Sequence, residues 1–227
     1  MKKAVVIYGP PGAGKGTQAE LLARNFFMIH FESGRYLENL LHTPEAKKSK
    51  ILEREKSLFD TGKLCTPSWV LGTFSRVVRA VGSAGYGIVF SGPPRTLFEA
   101  VGGKRQKGLF DVLEEVYGKK NISVVELEVG MKVSGKRNEA RYVCSVCGLP
   151  RLSWAKGARC GFCDGALKKR VLDDPEVVKK RMEEYVERTK PIIAEVKRRK
   201  YKYVCIGATK RPEKVFQDIV RRVQLKK

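Results

Sequence analysis

Nine residues, Gly9-Pro-Pro-Gly-Ala-Gly-Lys-Gly-Thr17, combine a compliant backbone with one cation and one hydroxyl. Glycines let a loop curl until several N–H groups point inward at a phosphate chain. Lys15 supplies a mobile cation for outer phosphates, and Thr17 a hydroxyl beside a bound magnesium ion. Gly12, Ala13, Gly14 and Gly16 supply the backbone of the cradle. Gly16 stands where the Gly-x4-Gly-Lys pattern has Ser or Thr, and the hydroxyl arrives one residue later. A dinucleotide-binding loop around Gly12 and Gly14 is the rival reading, but it lacks a third glycine and leaves Lys15 without a task. A plain strand-to-helix turn needs neither four glycines nor a lysine.

A second cluster lies far along the chain. Cys144-x2-Cys147 and Cys160-x2-Cys163 form two doublets separated by 12 residues. In a cytoplasmic chain, the setting expected here, paired doublets suggest a metal and not disulfides. Cys65 and Cys205 stand alone and read as ordinary residues, Cys205 inside an apolar run. His30 and His42 have no ligand-like spacing and receive no role.

These groups need a scaffold. At 227 residues, 42% of them hydrophobic, the chain can bury one good core with room for small inserts. Short apolar runs at Ala4–Tyr8, Phe27–Phe31, Ile88–Phe90, Ile122–Leu127 and Tyr203–Ile206 alternate with helical patterns. That alternation predicts a parallel sheet covered on both faces, with the phosphate loop between the first strand and first helix. Two segments break it: a charged, helical stretch at 34–63, and the cysteine-bearing stretch at 132–170. Asp174-Pro175-Glu176 marks a helix start. Val178, Met182, Tyr185 and Val186 then form a stripe expected to face the core, and Pro191 should kink or end that helix. A final helix should begin near Pro212.

The charge is +22, from 46 basic and 24 acidic residues. Such a balance favours polyanionic partners: nucleotides, nucleic acid or an anionic surface. Neither basic cluster, Lys197–Lys202 nor Arg221–Lys227, is interleaved with aromatics as an RNA platform would be. No apolar run reaches the ~20 residues that span a bilayer, and the run after Lys2-Lys3 is too short for a signal peptide. The expectation is a cytoplasmic protein with no membrane association.

Several motifs fall in order: Gly9–Thr17, Ser33-Gly34, Gly62-Lys63-Leu64, Gly92-Pro93-Pro94-Arg95-Thr96, the cysteine insert, Arg170, Asp173-Asp174-Pro175-Glu176, Lys180-Arg181 and Gly207-Ala208-Thr209-Lys210. Together they resemble the adenylate kinases of the long-lid type, over essentially the whole chain. The resemblance implies an α/β fold: a P-loop core of five parallel strands at 1–33, 64–131 and 171–227. It adds a helical insert at 34–63 for a nucleoside monophosphate and a zinc-ribbon-like lid at 132–170. It implies a likeness in activity too, phosphoryl transfer from MgATP to AMP by a monomer. Lys15, Arg95, Lys136, Arg137, Arg170 and Arg181 would then be the catalytic cations. Lys136 and Lys210 would join the loop around ATP. Ser33, Gly34, Arg35, Lys63, Leu64, Cys65, Gly92, Arg95, Glu99, Arg170 and Arg181 would surround the monophosphate. The four doublet cysteines would enclose one structural Zn2+, a closed tetrahedral site that staples a lid too small for its own core.

The sequence departs from that family on the acceptor side. Arg35 and Glu38 stand where it has Asp and then Arg, so the pair has changed sign; we expect Arg35 to take over the phosphate contact. Ser91 replaces an Asp that helps hold magnesium through water, which weakens that site. Glu99 replaces a Gln that reads adenine. An ionised Glu only accepts hydrogen bonds, which suits guanine's two adjacent donors better. Two rivals follow from the same residues: a nucleotide-binding module with weakened catalysis, and a basic, RNA-associated zinc protein with non-specific nucleic-acid affinity.

Overall fold

The computed structural model describes residues 2–151, 157–169 and 173–225. Five parallel strands form its centre: β1 (Ala4–Tyr8), β2 (Met28–Phe31), β3 (Gly87–Ser91), β6 (Ile122–Glu128) and β9 (Lys202–Gly207), in the spatial order β2-β3-β1-β6-β9. All five apolar runs of the sequence are thus strands. The short β4 (Gly102–Gly103) and β5 (Gln106–Lys107) form a separate hairpin. Every residue of β1 is fully buried, as expected for a strand covered on both faces.

Alternation along β1 divides the core. Ala4, Val6 and Tyr8 face one side with Phe74 of α4 (Pro67–Ser83), Leu113 of α6 (Leu109–Tyr117) and Val196 of α9 (Ile192–Arg198). Val5 and Ile7 face the other, with Ala19 and Leu22 of α1 (Lys15–Asn25) and Ile219 of α10 (Pro212–Val223). Chain order reverses at β1, between β3 and β6, and open parallel sheets bind ligands outside the carboxyl ends of their strands at such a point. The phosphate loop leaves β1 there.

The first insert holds α2 (Ser33–Leu41), a 3-10 turn (Pro44–Lys48) and α3 (Lys50–Asp60). Its root is fixed by Glu55, which is fully buried. One carboxylate oxygen accepts the Thr66 N–H at 2.6 Å and the other the Thr66 hydroxyl at 2.6 Å, at the start of α4. The short α5 (Leu97–Val101) follows the Gly92–Arg95 loop.

The second insert begins with α7 (Met131–Glu139), which packs on the core. The buried Ser134 hydroxyl donates to Pro11 O. Arg137 donates to Ala208 O at 2.8 Å and Thr209 O at 3.2 Å. Beyond it, β7 (Val143–Cys144) and β8 (Leu167–Lys168) pair antiparallel and frame the cysteine turns.

The return helix α8 (Pro175–Glu184) starts as the sequence predicts, with Asp174 accepting the Glu176 N–H at 3.0 Å and Pro175 in the first turn. Pro191 separates the π-helical turn Tyr185–Thr189 from α9. The stripe expected to enter the core does not. Among the described residues, α8 has no fully buried side chain, and Val186 is 53% exposed. That helix lies against the first insert, where Val177 would be 3.1 Å from a Cβ placed on Gly62, and faces an open cleft. No helix among the described residues is long and apolar enough to cross a membrane.

Candidate active site

Gly12 and Gly14 have left-handed backbones, with φ of 83° and 87°. A Cβ on Gly12 would lie 2.7 Å from the Ser134 carbonyl oxygen, so glycine is required there by approach as well as by φ. Ala13 N–H closes the turn on Pro10 O at 3.1 Å. Gly14 caps α1, whose first N–H groups and positive dipole end face the mouth of the loop. Gly16 and Thr17 lie in that first turn. The Lys15 ammonium donates to Gly9 O at 2.7 Å and Pro10 O at 2.9 Å. Burial pushes its pKa well below the usual lysine value, and Arg181, Arg95 and Arg141 add repulsion. Such a cluster of cations needs an anion.

Two clefts open over the sheet. The first, about 520 Å³, is lined by Tyr8, Lys15, Gly92, Arg95 and Arg181, among others. The second, about 380 Å³, is lined by Ser33, Gly34, Lys63, Leu64, Cys65 and Glu99, with Phe59 and Phe74 as apolar walls. Arg95 and Leu64 line both. The Tyr8 hydroxyl in the first cleft and the Ser33 hydroxyl in the second are buried without hydrogen-bond partners among the described residues. A bound ligand is the natural partner for such groups. Glu99 is 3% exposed. Burial pushes its pKa up to about 6, against the opposing pull of the Arg95 N–H bond and charge.

The other expected site residues scatter. Arg170 lies outside the described residues. Lys136 is exposed at the end of α7, and Arg137 braces the Ala208–Thr209 backbone. Lys210 pairs with Asp218 on the surface at 3.0 Å. Arg35 lies on the exposed side of α2, and its guanidinium would sit 2.5 Å from a Cβ on Gly148 in the cysteine-bearing insert. It is not among the residues lining either cleft.

Two residues that the sequence reading passed over make contacts next to the site, though neither is among the residues lining the two clefts. Arg141 binds the buried Asp173 carboxylate with both arms, its Nε at 2.8 Å. Arg181 approaches the same carboxylate at 4.0 Å. The available signal was position, since Arg141 sits three residues before the first cysteine knuckle. His30 bridges Glu20 and Ser91, at 3.1 and 3.0 Å. Separations of 10 and 61 residues left no sequence signal for that chain.

The four cysteine Sγ atoms lie within 4.8 Å of one another, with Cys144···Cys163 at 3.4 Å and Cys147···Cys160 at 3.6 Å. A tetrahedral zinc with Zn–S near 2.3 Å puts its sulfurs about 3.8 Å apart. Backbone N–H groups of Val146 and Cys147 point at Cys144 Sγ, and that of Phe162 at Cys160 Sγ. Such donors favour thiolates, the form that binds metal. The cluster fits Zn2+. Thr17 lies in the first turn of α1, and Mg2+, which retains several waters, would need few protein ligands there.

The fold and clefts define a P-loop phosphotransferase with two inserts around paired anion sites. The family model described as adenylate kinase matches residues 7–201. The chain is 30% identical to the adenylate kinase of Elusimicrobium minutum (strain Pei191), over 98% of this chain and 99% of that protein. It is 33% identical to that of Caldicellulosiruptor bescii, over 83% of this chain and 84% of that protein. Against the adenylate kinase of Chlamydia felis it is 30% identical, over 95% and 94% of the two chains. The chain belongs to the adenylate kinase family.

Proposed function

We propose that the chain transfers the γ-phosphoryl group of ATP directly to a nucleoside monophosphate, AMP first among them (ATP + AMP = 2 ADP). The observation that carries this is the meeting of the two clefts at Arg95, with Lys15 and Arg181 on the donor side. An acceptor phosphate is already anionic at neutral pH and needs no general base. The residues therefore have to align two phosphates and neutralise the group in flight. Lys15 and the first-turn N–H groups of α1 would hold the donor phosphates. Arg95 would span donor and acceptor, while Arg181 and Arg141, tethered by Asp173, would close on the transferring group. Bound magnesium would neutralise the β- and γ-phosphates, near Thr17. The zinc knuckle would keep the lid rigid, and α7, packed on the phosphate loop, would remain with the core.

Coupled ADP production from ATP, Mg2+ and a panel of AMP, GMP and CMP tests the reading. Binding of ATP without turnover for any acceptor would refute it.

Glu99 favours a second reading of the acceptor. Its carboxylate lines the second cleft where a base would lie, and it accepts the Arg95 N–H through one oxygen. An ionised Glu99 suits guanine, and a protonated one, which can donate, suits adenine. Strong AMP preference at every pH would sink the guanine reading.

A further inference from the structure

Tyr8 carries a buried hydroxyl with nothing to donate to. The side chain is fully buried and lines the first cleft, and its oxygen has no hydrogen-bond partner among the described residues. Its cross-strand neighbour Glu126 already accepts from the Tyr203 hydroxyl. A buried polar atom left unpaired costs stability, and a ligand that supplies the partner recovers it. We propose that Tyr8 is a ligand of the acceptor phosphate: its hydroxyl donates to a phosphate oxygen of the nucleoside monophosphate, beside Arg95. The proposal rests on the kinase reading above and adds a residue to it.

Placement follows from the strand period. Tyr8 is the last residue of β1, immediately before the phosphate loop. Side chains alternate across a strand, so Ile7 and Tyr8 point to opposite faces of the sheet. Ile7 belongs to the core with Ala19 and Leu22 of α1, the helix that opens at the phosphate loop. Tyr8 belongs to the other core, with Leu37 and Leu41 of the first insert. The cleft it lines is bounded by Lys15, but also by Gly62 and Leu64 at the root of that insert and by Arg95. The ring thus enters the junction of the two clefts from the acceptor side. Glu99, which lines the second cleft, is near enough for its charge to act on the Tyr8 hydroxyl.

The chemistry suits an anion. Burial, and after it the Glu99 charge, push the Tyr8 pKa well above the usual tyrosine value. The oxygen therefore keeps its proton at neutral pH and can donate it. An O–H bond to a charged phosphate oxygen is stronger than one between neutral groups. A further cation would add to the repulsion that Lys15 already meets from Arg181, Arg95 and Arg141; a neutral hydroxyl holds the anion without that cost. The acceptor side has room for such a donor. Arg35, the cation expected to hold that phosphate, lines neither cleft. Tyr8 supplies from the sheet what α2 does not supply from the insert.

The test uses the whole chain, with the donor site filled by Mg2+ and a non-hydrolysable ATP analogue. Calorimetry then measures the affinity for AMP and for adenosine, which lacks the phosphate. Tyr8→Phe removes the hydroxyl and keeps the ring. It should reduce the AMP-to-adenosine affinity ratio about tenfold, the scale of one hydrogen bond to a charged group. Affinity for adenosine and for the ATP analogue should not change. GMP with guanosine should give the same reduction if guanine is the base bound. The unliganded variant should melt no lower than the native chain, because no bond is broken within the protein. An unchanged ratio, a loss of affinity for the ATP analogue in place of AMP, or a lower Tm without ligand would each overturn the proposal. These are equilibrium readings. A reduced ratio in a chain that makes no ADP would count against the transfer reading and leave the Tyr8 contact standing. Normal ADP production with an unchanged ratio would do the reverse.

Discussion

The backbone N–H of Arg95 donates to a carboxylate oxygen of Glu99 across 2.7 Å. Arg95, which with Leu64 lines both clefts, is thus tied through its own backbone to the group that would meet the base. Glu99 has a raised pKa, about 6 against the ordinary 4.5, so its protonated form dominates below pH 6. The AMP-to-GMP ratio of kcat/KM should therefore fall as pH rises from about 5 to 8. Taking the ratio cancels the titration of the phosphate common to both acceptors. Glu99→Gln should flatten the profile.

The same group predicts a stability change. A carboxyl whose folded pKa lies above its unfolded one contributes stability that is complete below pH 4.5 and lost as pH rises through 6. The loss is about 2 kcal/mol for a shift of this size. Denaturant melts at pH 4.5 and 8 should show it in the native chain and not in Glu99→Gln.

Burial, with repulsion from Arg181, Arg95 and Arg141, lowers the Lys15 pKa well below the usual lysine value. Lys15→Met keeps the stem and removes the strain, so it should raise Tm by about 2–4 °C. It should also lower kcat by about 100-fold or more, the scale for losing one preorganised charge. Calorimetry and turnover on one sample check both directions; a lower Tm would contradict the electrostatic account.

Asp173 is the shared anchor of Arg141 and Arg181. Asp173→Asn leaves both guanidinium groups facing a neutral amide. Breaking a buried pair on one side costs about 3 kcal/mol, measurable by denaturation. ATP affinity should fall with it, while a variant at the surface pair of Lys210 and Asp218 should change stability by less than about 1 kcal/mol.

Metal analysis should find one zinc per chain. Cys147→Ser should release it, open the 140–170 segment to protease and weaken ATP binding, with little effect on monophosphate binding. Equal zinc content in the variant would remove the four-thiolate site from the account.

Much of the scaffold was legible because buried parallel strands announce themselves as short β-branched runs, and because Asp174-Pro175 and the glycines of the phosphate loop carry local backbone chemistry. The α8 stripe misled for a physical reason. Periodicity reports that a face is apolar, not whether it meets the core or a cleft between inserts. The Glu20–His30–Ser91 chain and the Arg141–Asp173 pair were invisible for another: each joins residues from separate elements, and their meeting depends on sheet order and on the path of the lid. Arg35 shows the limit of motif transfer, since its place one turn from an expected cation does not determine which way α2 points it.

The Arg141–Asp173 pair also has a mechanical meaning. With α7 pinned to the phosphate loop through Ser134 and to the Ala208–Thr209 backbone through Arg137, the free arm of the second insert begins only after Glu139. Its outgoing and returning strands are then laced together at Arg141 and Asp173. Two ribbons joined side by side bend readily across their width but resist shear and torsion. The knuckle is therefore held by one laced double strand and not by two independent arms.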